Sequence, residues 1–196
     1  MFDQIYKTPI EKDILQLEEE IFAKQKELTE LRRTAPATEV SDYIFKDKNG
    51  IEKKLSELFD EKNEIMIVHN MGRGCSYCTL WADEFNGVAH HLHNRLPFFI
   101  SSPDDVSVMK EFAESRNWKL NMLSTKENSF KKDMGFENAE AKPLPGVSVF
   151  VKRDGKIYHT AKTKFGPGDL FCGTWHLLDL LPNGANGWGP KKNYEL

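Results

Sequence analysis

Two cysteines three positions apart, Cys75 and Cys78, are the residues of this sequence best suited to chemistry. When Cys-x-x-Cys opens a helix, the second thiol lies one turn after the first, so both sulfurs share a face. Such a pair can exchange disulfides, one thiolate attacking a disulfide sulfur and the other resolving the mixed disulfide into an internal bridge. A helix start favours this, because its unpaired N–H groups and dipole lower a thiol pKa from a free value of about 8.5. Cys75 therefore reads as the nucleophile and Cys78 as the resolving thiol. Gly72, Arg73 and Gly74 precede the pair as a flexible turn, and the charge of Arg73 would favour the thiolate further. His69, six positions before Cys75, could exchange protons with the second thiol. Equally, it could be a buried, hydrogen-bonded histidine with no such duty.

A second signal is Leu144-Pro145-Gly146, immediately before the apolar run Val147 to Val151. A proline there can occupy a cis peptide, leaving the backbone of Leu144 free to pair with an extended substrate beside the cysteines. The alternative is an ordinary loop proline. Trp81 is expected to pack beneath the helix, and Cys172, between Phe171 and Trp175, to fill a buried apolar site. Zinc would need the cysteines to be joined by His90, His91, His93 or Cys172. His90 and His93 lie about four turns along the same expected helix, roughly 22 Å away. They cannot share an ion with the cysteines, so neither a metal nor a cofactor is assigned.

The elements that must place these residues follow from hydrophobic periodicity. Thr8, Pro9 and Glu11 form a capping box that starts a helix running to about Arg33. Its apolar residues Ile10, Ile14, Leu17, Ile21, Leu28 and Leu31 make one stripe, with Lys24 in the seam. That stripe either packs on the chain's own body or pairs with a second subunit as a homodimer. Thr34 to Glu39 reads as a linker, Tyr43 to Leu55 as a hairpin turning at Asn49-Gly50, and Ser56 to Phe59 as a helical turn. Beyond Glu64 the predicted order is strand 65–69, helix 75–94, strand 97–101, helix 103–117, strand 120–123 and short helix 129–134. Two strands, 147–153 and 156–163, then turn at Asp154-Gly155, before a last helix at 169–180 and an irregular, surface-bound tail from Pro182.

The chain has 196 residues, 39% hydrophobic and 29% charged, with a net charge of -3. That composition suits one globular body with an added arm and offers no basic surface for nucleic acid. No apolar run approaches the roughly 20 residues that span a membrane. The opening MFDQIYKTPIEKD has neither a basic leader nor an apolar signal core, which predicts a reducing, cytoplasmic setting. An odd number of cysteines agrees with that.

Phe45-Lys-Asp-Lys-Asn-Gly, Ile67-Val-His-Asn-Met, Cys75-Ser-Tyr-Cys78 with Trp81-Ala-Asp, Leu144-Pro-Gly-Val-Ser-Val-Phe and Tyr158-His-Thr occur here in order. In that series the chain resembles the family catalogued as domain of unknown function 899, over nearly its whole length. The resemblance implies an α/β, thioredoxin-like fold in a peroxiredoxin-like variant, with residues 1–36 as an N-terminal helical extension and 37–196 as the domain. It also implies a dithiol-disulfide oxidoreductase acting on protein or small-molecule thiols and disulfides. The chain departs from the pattern at Ser76, where relatives often carry Pro, and at Ala161-Lys-Thr-Lys, where they are often richer in aromatics. Peroxiredoxins themselves place a Thr or Ser three positions before their reactive Cys, where this chain has Gly72. A non-enzymatic interaction protein on the same fold is the competing reading.

Overall fold

A computed structural model describes residues 5–194, which fall into two compact units, one ending at Ala37 and the other starting at Thr38. The first is built on α1 (Pro9–Thr34). Glu11 donates its N–H to the Thr8 hydroxyl at 3.4 Å and returns a carboxylate to the Thr8 N–H at 2.7 Å, which forms the expected capping box. Pro36 disfavours helical backbone in the residue before it, and Ala35 is accordingly extended. Among the described residues of this unit none covers the apolar stripe of α1, and Ile10, Ile14, Leu17 and Ile21 are exposed.

The second unit contains β1 (Thr38–Glu39), β2 (Ile44–Asp47), β3 (Glu52–Lys54), β4 (Glu64–His69), α2 (Ser76–Gly87), α3 (Ala89–Arg95) and β5 (Phe98–Ser102). These are followed by α4 (Val106–Ser115), β6 (Asn121–Ser124), α5 (Phe130–Asp133), β7 (Gly146–Arg153), β8 (Lys156–Lys164) and α6 (Gly173–Leu178). Among the described residues, eight strands join one sheet in the order β1-β8-β7-β4-β5-β6-β2-β3. The centre, β4-β5-β6, is parallel, and β7 and β8 extend it antiparallel through the turn at Asp154 and Gly155, both at positive φ. This is the thioredoxin-like architecture expected, with α1 as its helical extension.

Strand alternation divides the core between the two sheet faces. From β4, Ile65 and Ile67 join Phe45, Phe59, Phe130 and Phe150 on one side. Val68 packs with Trp81, Ile100, Met109, Trp118 and Trp175 on the other. Trp81 is buried beneath α2 as expected.

Three elements differ from the sequence reading. Thr38 and Glu39, read as linker, pair with His159 and Tyr158 as an edge strand. The helix expected over 75–94 is two helices, because Gly87 is a weak helix former and Val88 departs to φ -113, ψ 13. The last helix starts late. The Asp169 carboxylate accepts the N–H groups of Gly166 at 2.8 Å and Phe171 at 2.7 Å and the indole N–H of Trp81 at 3.1 Å, which holds that stretch as a loop. None of the helices described here is long and apolar enough to cross a membrane.

Candidate active site

Cys75 is the N-cap of α2, with extended backbone at φ -94, ψ 107, and its sulfur performs the cap by accepting the Cys78 N–H at 3.1 Å. Its carbonyl accepts both the N–H and the hydroxyl of Thr79. The turn before it is anchored on both sides rather than loose. Asn70 Oδ1 accepts the Gly72 N–H at 2.7 Å and Asp104 Oδ2 accepts the Arg73 N–H at 2.7 Å. Gly72 sits at φ 96, and a Cβ there would meet Asp104 Oδ1 at 2.9 Å, so both conformation and space require glycine.

Both thiols of the pair are free. The Cys75 pKa is lowered to about 6, first by the hydrogen bond from the Cys78 thiol and then by the N–H groups of Cys78 and Tyr77 and the charge of Lys192, against the opposing effect of burial. Cys78 is pushed the other way by its hydrogen bond to Cys75, by burial and by the charge on Cys75. The Met71 N–H, donating to Cys78 Sγ at 3.4 Å, and the charge of Lys131 pull it back. One thiol is thus readied as an anion while the other is kept protonated.

The cation acting on Cys75 is Lys192, in the tail. Arg73 is exposed. Arg116, ion-paired with Asp83, donates to the Lys192 carbonyl at 2.8 Å and pins that stretch. Trp188 packs edge-on against Trp175, which stacks on Tyr77 between the two cysteines. The tail is irregular, as expected, but partly docked, with Pro190 buried.

His69 is fully buried, its ring 3.9 Å from Phe136 and 5.2 Å from Phe130 in stacked geometry. Nε2 and Ser148 Oγ are hydrogen-bonded at 2.9 Å, and Nδ1 has no partner. Burial, then the charges of Lys131, His159 and Lys162, hold its pKa well below the usual value, so the ring is neutral. The stacking partners belong to the core cluster of Ile65 and Ile67, on the sheet face opposite Trp81.

All described peptide bonds are trans, including that before Pro145. The N–H of Leu144 is already used, donating to Phe136 O at 2.8 Å, while its side chain is exposed. Pro145 lines a narrow interior space with Cys78, Trp81 and Phe165. Gly146 is required by packing, since a Cβ would fall 2.2 Å from Phe136 Cε1 and 2.4 Å from the Thr163 carbonyl. Cys172 is buried as expected, but its thiol is not merely apolar filling: it donates to Glu84 Oε1 at 3.2 Å, and burial first, then that carboxylate, raise its pKa to about 12. Among the described residues no three His, Cys, Asp or Glu side chains converge to hold a metal ion.

Like Lys192, a second lysine was invisible to sequence reasoning. Lys131, in the four-residue α5, is 5% exposed, and its Nζ donates to Asn70 O at 2.9 Å and to the carbonyl and hydroxyl of Ser101 at 3.4 Å. The local sequence Phe-Lys-Lys-Asp reads as a solvated turn, so only tertiary packing reveals it.

A family model described as "Bacterial protein of unknown function (DUF899)" matches residues 6–195. The chain belongs to this family. No curated protein matches it by sequence. Among solved structures, this DUF899 member is similar to peroxidoxin BcpB from Mycobacterium tuberculosis, at 23% identity and TM-score 0.51 over 62% of this chain and 80% of that one. It is also similar to Xanthomonas campestris peroxiredoxin Q, at 10% identity and TM-score 0.54 over 63% and 80%. Enterococcus faecalis AhpC matches at 12% identity and TM-score 0.54 over 68% and 82%. At these identities the likeness is one of fold, and the DUF899 domain is a peroxiredoxin-like variant of the thioredoxin fold.

Proposed function

We propose that the protein is a thiol-disulfide oxidoreductase in which Cys75 attacks and Cys78 resolves. The observation that carries this reading is the capping sulfur: Cys75 Sγ receives the Cys78 N–H at 3.1 Å and is poised as a thiolate at neutral pH. The Cys75 thiolate attacks one sulfur of a substrate disulfide, forming a mixed disulfide and releasing the other sulfur as thiolate. Cys78 then loses its proton and attacks the Cys75 sulfur. The Cys75–Cys78 bond forms, the bond to substrate breaks, and the second substrate thiolate leaves. Substrate gains two electrons and the dithiol loses two.

The proposed substrates are protein or small-molecule disulfides in a cytoplasmic setting, with no cofactor. Leu144, Pro145 and Gly146 are proposed as the shelf beside the pair. Support comes from Pro145, which borders the same interior space as Cys78, and from the exposed Leu144 side chain. The seam of α1, spaced by threes and fours, is the pattern two like helices share, and it supports a homodimer. Peroxide reduction is less well supported, because Gly72 supplies no hydroxyl three positions before Cys75.

The test is turnover of a chromogenic disulfide by wild type, Cys75→Ser and Cys78→Ser. Abolished reaction in Cys75→Ser and a trapped mixed disulfide in Cys78→Ser are the expected results. A wild type that never reacts would leave the fold as an interaction scaffold and sink the enzyme reading.

A further inference from the structure

Resolution requires a buried thiol to become an anion inside the protein. Cys78 is 4% exposed, and although the opposition from Cys75 ends when Cys75 enters the mixed disulfide, burial still disfavours the Cys78 thiolate. Something must compensate for the charge it develops. A buried amine is costly unless it has a use, and every hydrogen-bond acceptor of Lys131 Nζ is neutral: the Asn70 carbonyl and the carbonyl and hydroxyl of Ser101. Those contacts tie it to the short loop that handles Cys78. Asn70 Nδ2 reaches the Cys78 carbonyl at 3.4 Å, and the next residue, Met71, donates its N–H to Cys78 Sγ.

We propose that Lys131 is the electrostatic partner of Cys78, taking up a proton as Cys78 loses one, so that thiol and neutral amine become thiolate and ammonium during resolution. The inference rests on the dithiol reading above and assigns a residue that the Cys-x-x-Cys motif does not contain. Proton count balances within the pair: the proton leaving Cys78 sulfur is matched by one gained at Lys131 nitrogen. The Cys78 thiolate then attacks the Cys75 sulfur and expels the substrate thiolate. When the internal disulfide has formed, no anion remains at Cys78, and Lys131 can return its proton to solvent.

The titratable groups that act on this amine are few. Burial lowers its pKa to about 7, and the charges of Cys78 on α2 and Asp104 after β5 oppose that shift. His69 on β4 feels the lysine charge in turn, but stays neutral. Lys131 can therefore exist as either amine or ammonium near neutrality, which a surface lysine could not. It acts through its charge and is a positioning residue rather than a group that touches substrate.

The test separates the two chemical steps. Wild type, Lys131→Met and Lys131→Arg are reacted with a disulfide that releases one coloured thiol on attack by Cys75 and a second on resolution by Cys78. In Lys131→Met the first release is expected to keep its rate near pH 7, while the second slows about tenfold and its pH midpoint moves up by about one unit. Lys131→Arg, a permanent cation with no free amine, is expected to keep the midpoint of the second release below that of Lys131→Met, because it offsets the thiolate charge without taking up the proton. An unchanged pH profile for the second release in folded Lys131→Met overturns the inference while leaving the dithiol reading intact. No first release in wild type instead overturns the dithiol reading. Should Lys131→Met fail to fold, NMR titration of isotope-labelled lysine decides. The Lys131 midpoint is expected to be higher in Cys75→Ser, where Cys78 is freed from the opposing charge of Cys75 and can ionise, than in the double variant Cys75→Ser/Cys78→Ser, which has no such anion, and equal midpoints in the two overturn the proposal.

Discussion

The backbone N–H of Cys78 donates to Cys75 Sγ at 3.1 Å, so the residue that would complete the reaction also holds its nucleophile as an anion. The two roles come from one turn of helix. With the Cys75 thiol lowered to about 6 and Cys78 raised, only one of the two sulfurs is nucleophilic at neutral pH.

Alkylation of the reduced protein is therefore expected to rise with pH through a midpoint near 6 at Cys75 and to be flat above about 7. Mass spectrometry of the labelled peptide checks the site. The same shift links to stability. The folded pKa lies below that of a free thiol, so the contribution is full above the unfolded value and is lost as pH falls through the folded one. Chemical denaturation at several pH values should give reduced protein that gains stability from about pH 6 to 9, with a smaller gain in Cys75→Ser.

Lys192→Ala should move the Cys75 midpoint upward by a fraction of a unit, and added salt should shrink the difference between variant and wild type. The alkylation profile measures both. Arg116→Ala, which releases the Lys192 carbonyl and breaks the pair with Asp83, should produce a similar upward shift. Equal midpoints in all three proteins would remove the tail from the account of Cys75.

Replacing His69 with Leu strands the Ser148 hydroxyl and should cost about 1–3 kcal/mol at pH 7. Its effect on acid stability has the opposite sense. A buried neutral His binds fewer protons than the unfolded chain below pH 6.5, so stability falls as pH drops from there, at about 1.4 kcal/mol per unit for one proton. The variant should lose that slope in denaturation curves between pH 6.5 and 5. An alkylation profile of Cys75 unmoved by the substitution would end the idea that His69 shuttles protons.

Gly146→Ala should destabilise by about 3 kcal/mol or prevent folding, because the added methyl meets the Phe136 ring and the Thr163 carbonyl with no room to shift. Thermal unfolding is the measurement. A Tm within a few degrees of wild type would mean that the start of β7 is looser than its packing implies.

What could be read in advance was local. Thr8 and Glu11 start α1 by short-range chemistry, Asp154-Gly155 forms its hairpin turn, and the apolar run before Cys75 sets β4 under α2. Cys75 and Cys78 could be placed because a motif on a helix start defines its own geometry. The remainder depends on residues far apart in sequence. Asp169 stops α6 from starting early by gathering donors that include Trp81, a partner 88 positions away. Lys131 and Lys192 look like ordinary surface lysines in their local sequence. Burial of the first and docking of the second are set by sheet packing and by Arg116.

The stretch that Arg116 ties down carries Lys192, whose charge adds the smallest of the pulls that lower the Cys75 thiol, and so it is placed to trim sulfur acidity from outside the motif. Relatives with an identical Cys-Ser-Tyr-Cys turn could differ in reactivity because of exchanges near Trp188 and Lys192 alone. Grafting that stretch between family members offers a way to retune the dithiol while every residue of the motif stays as it is.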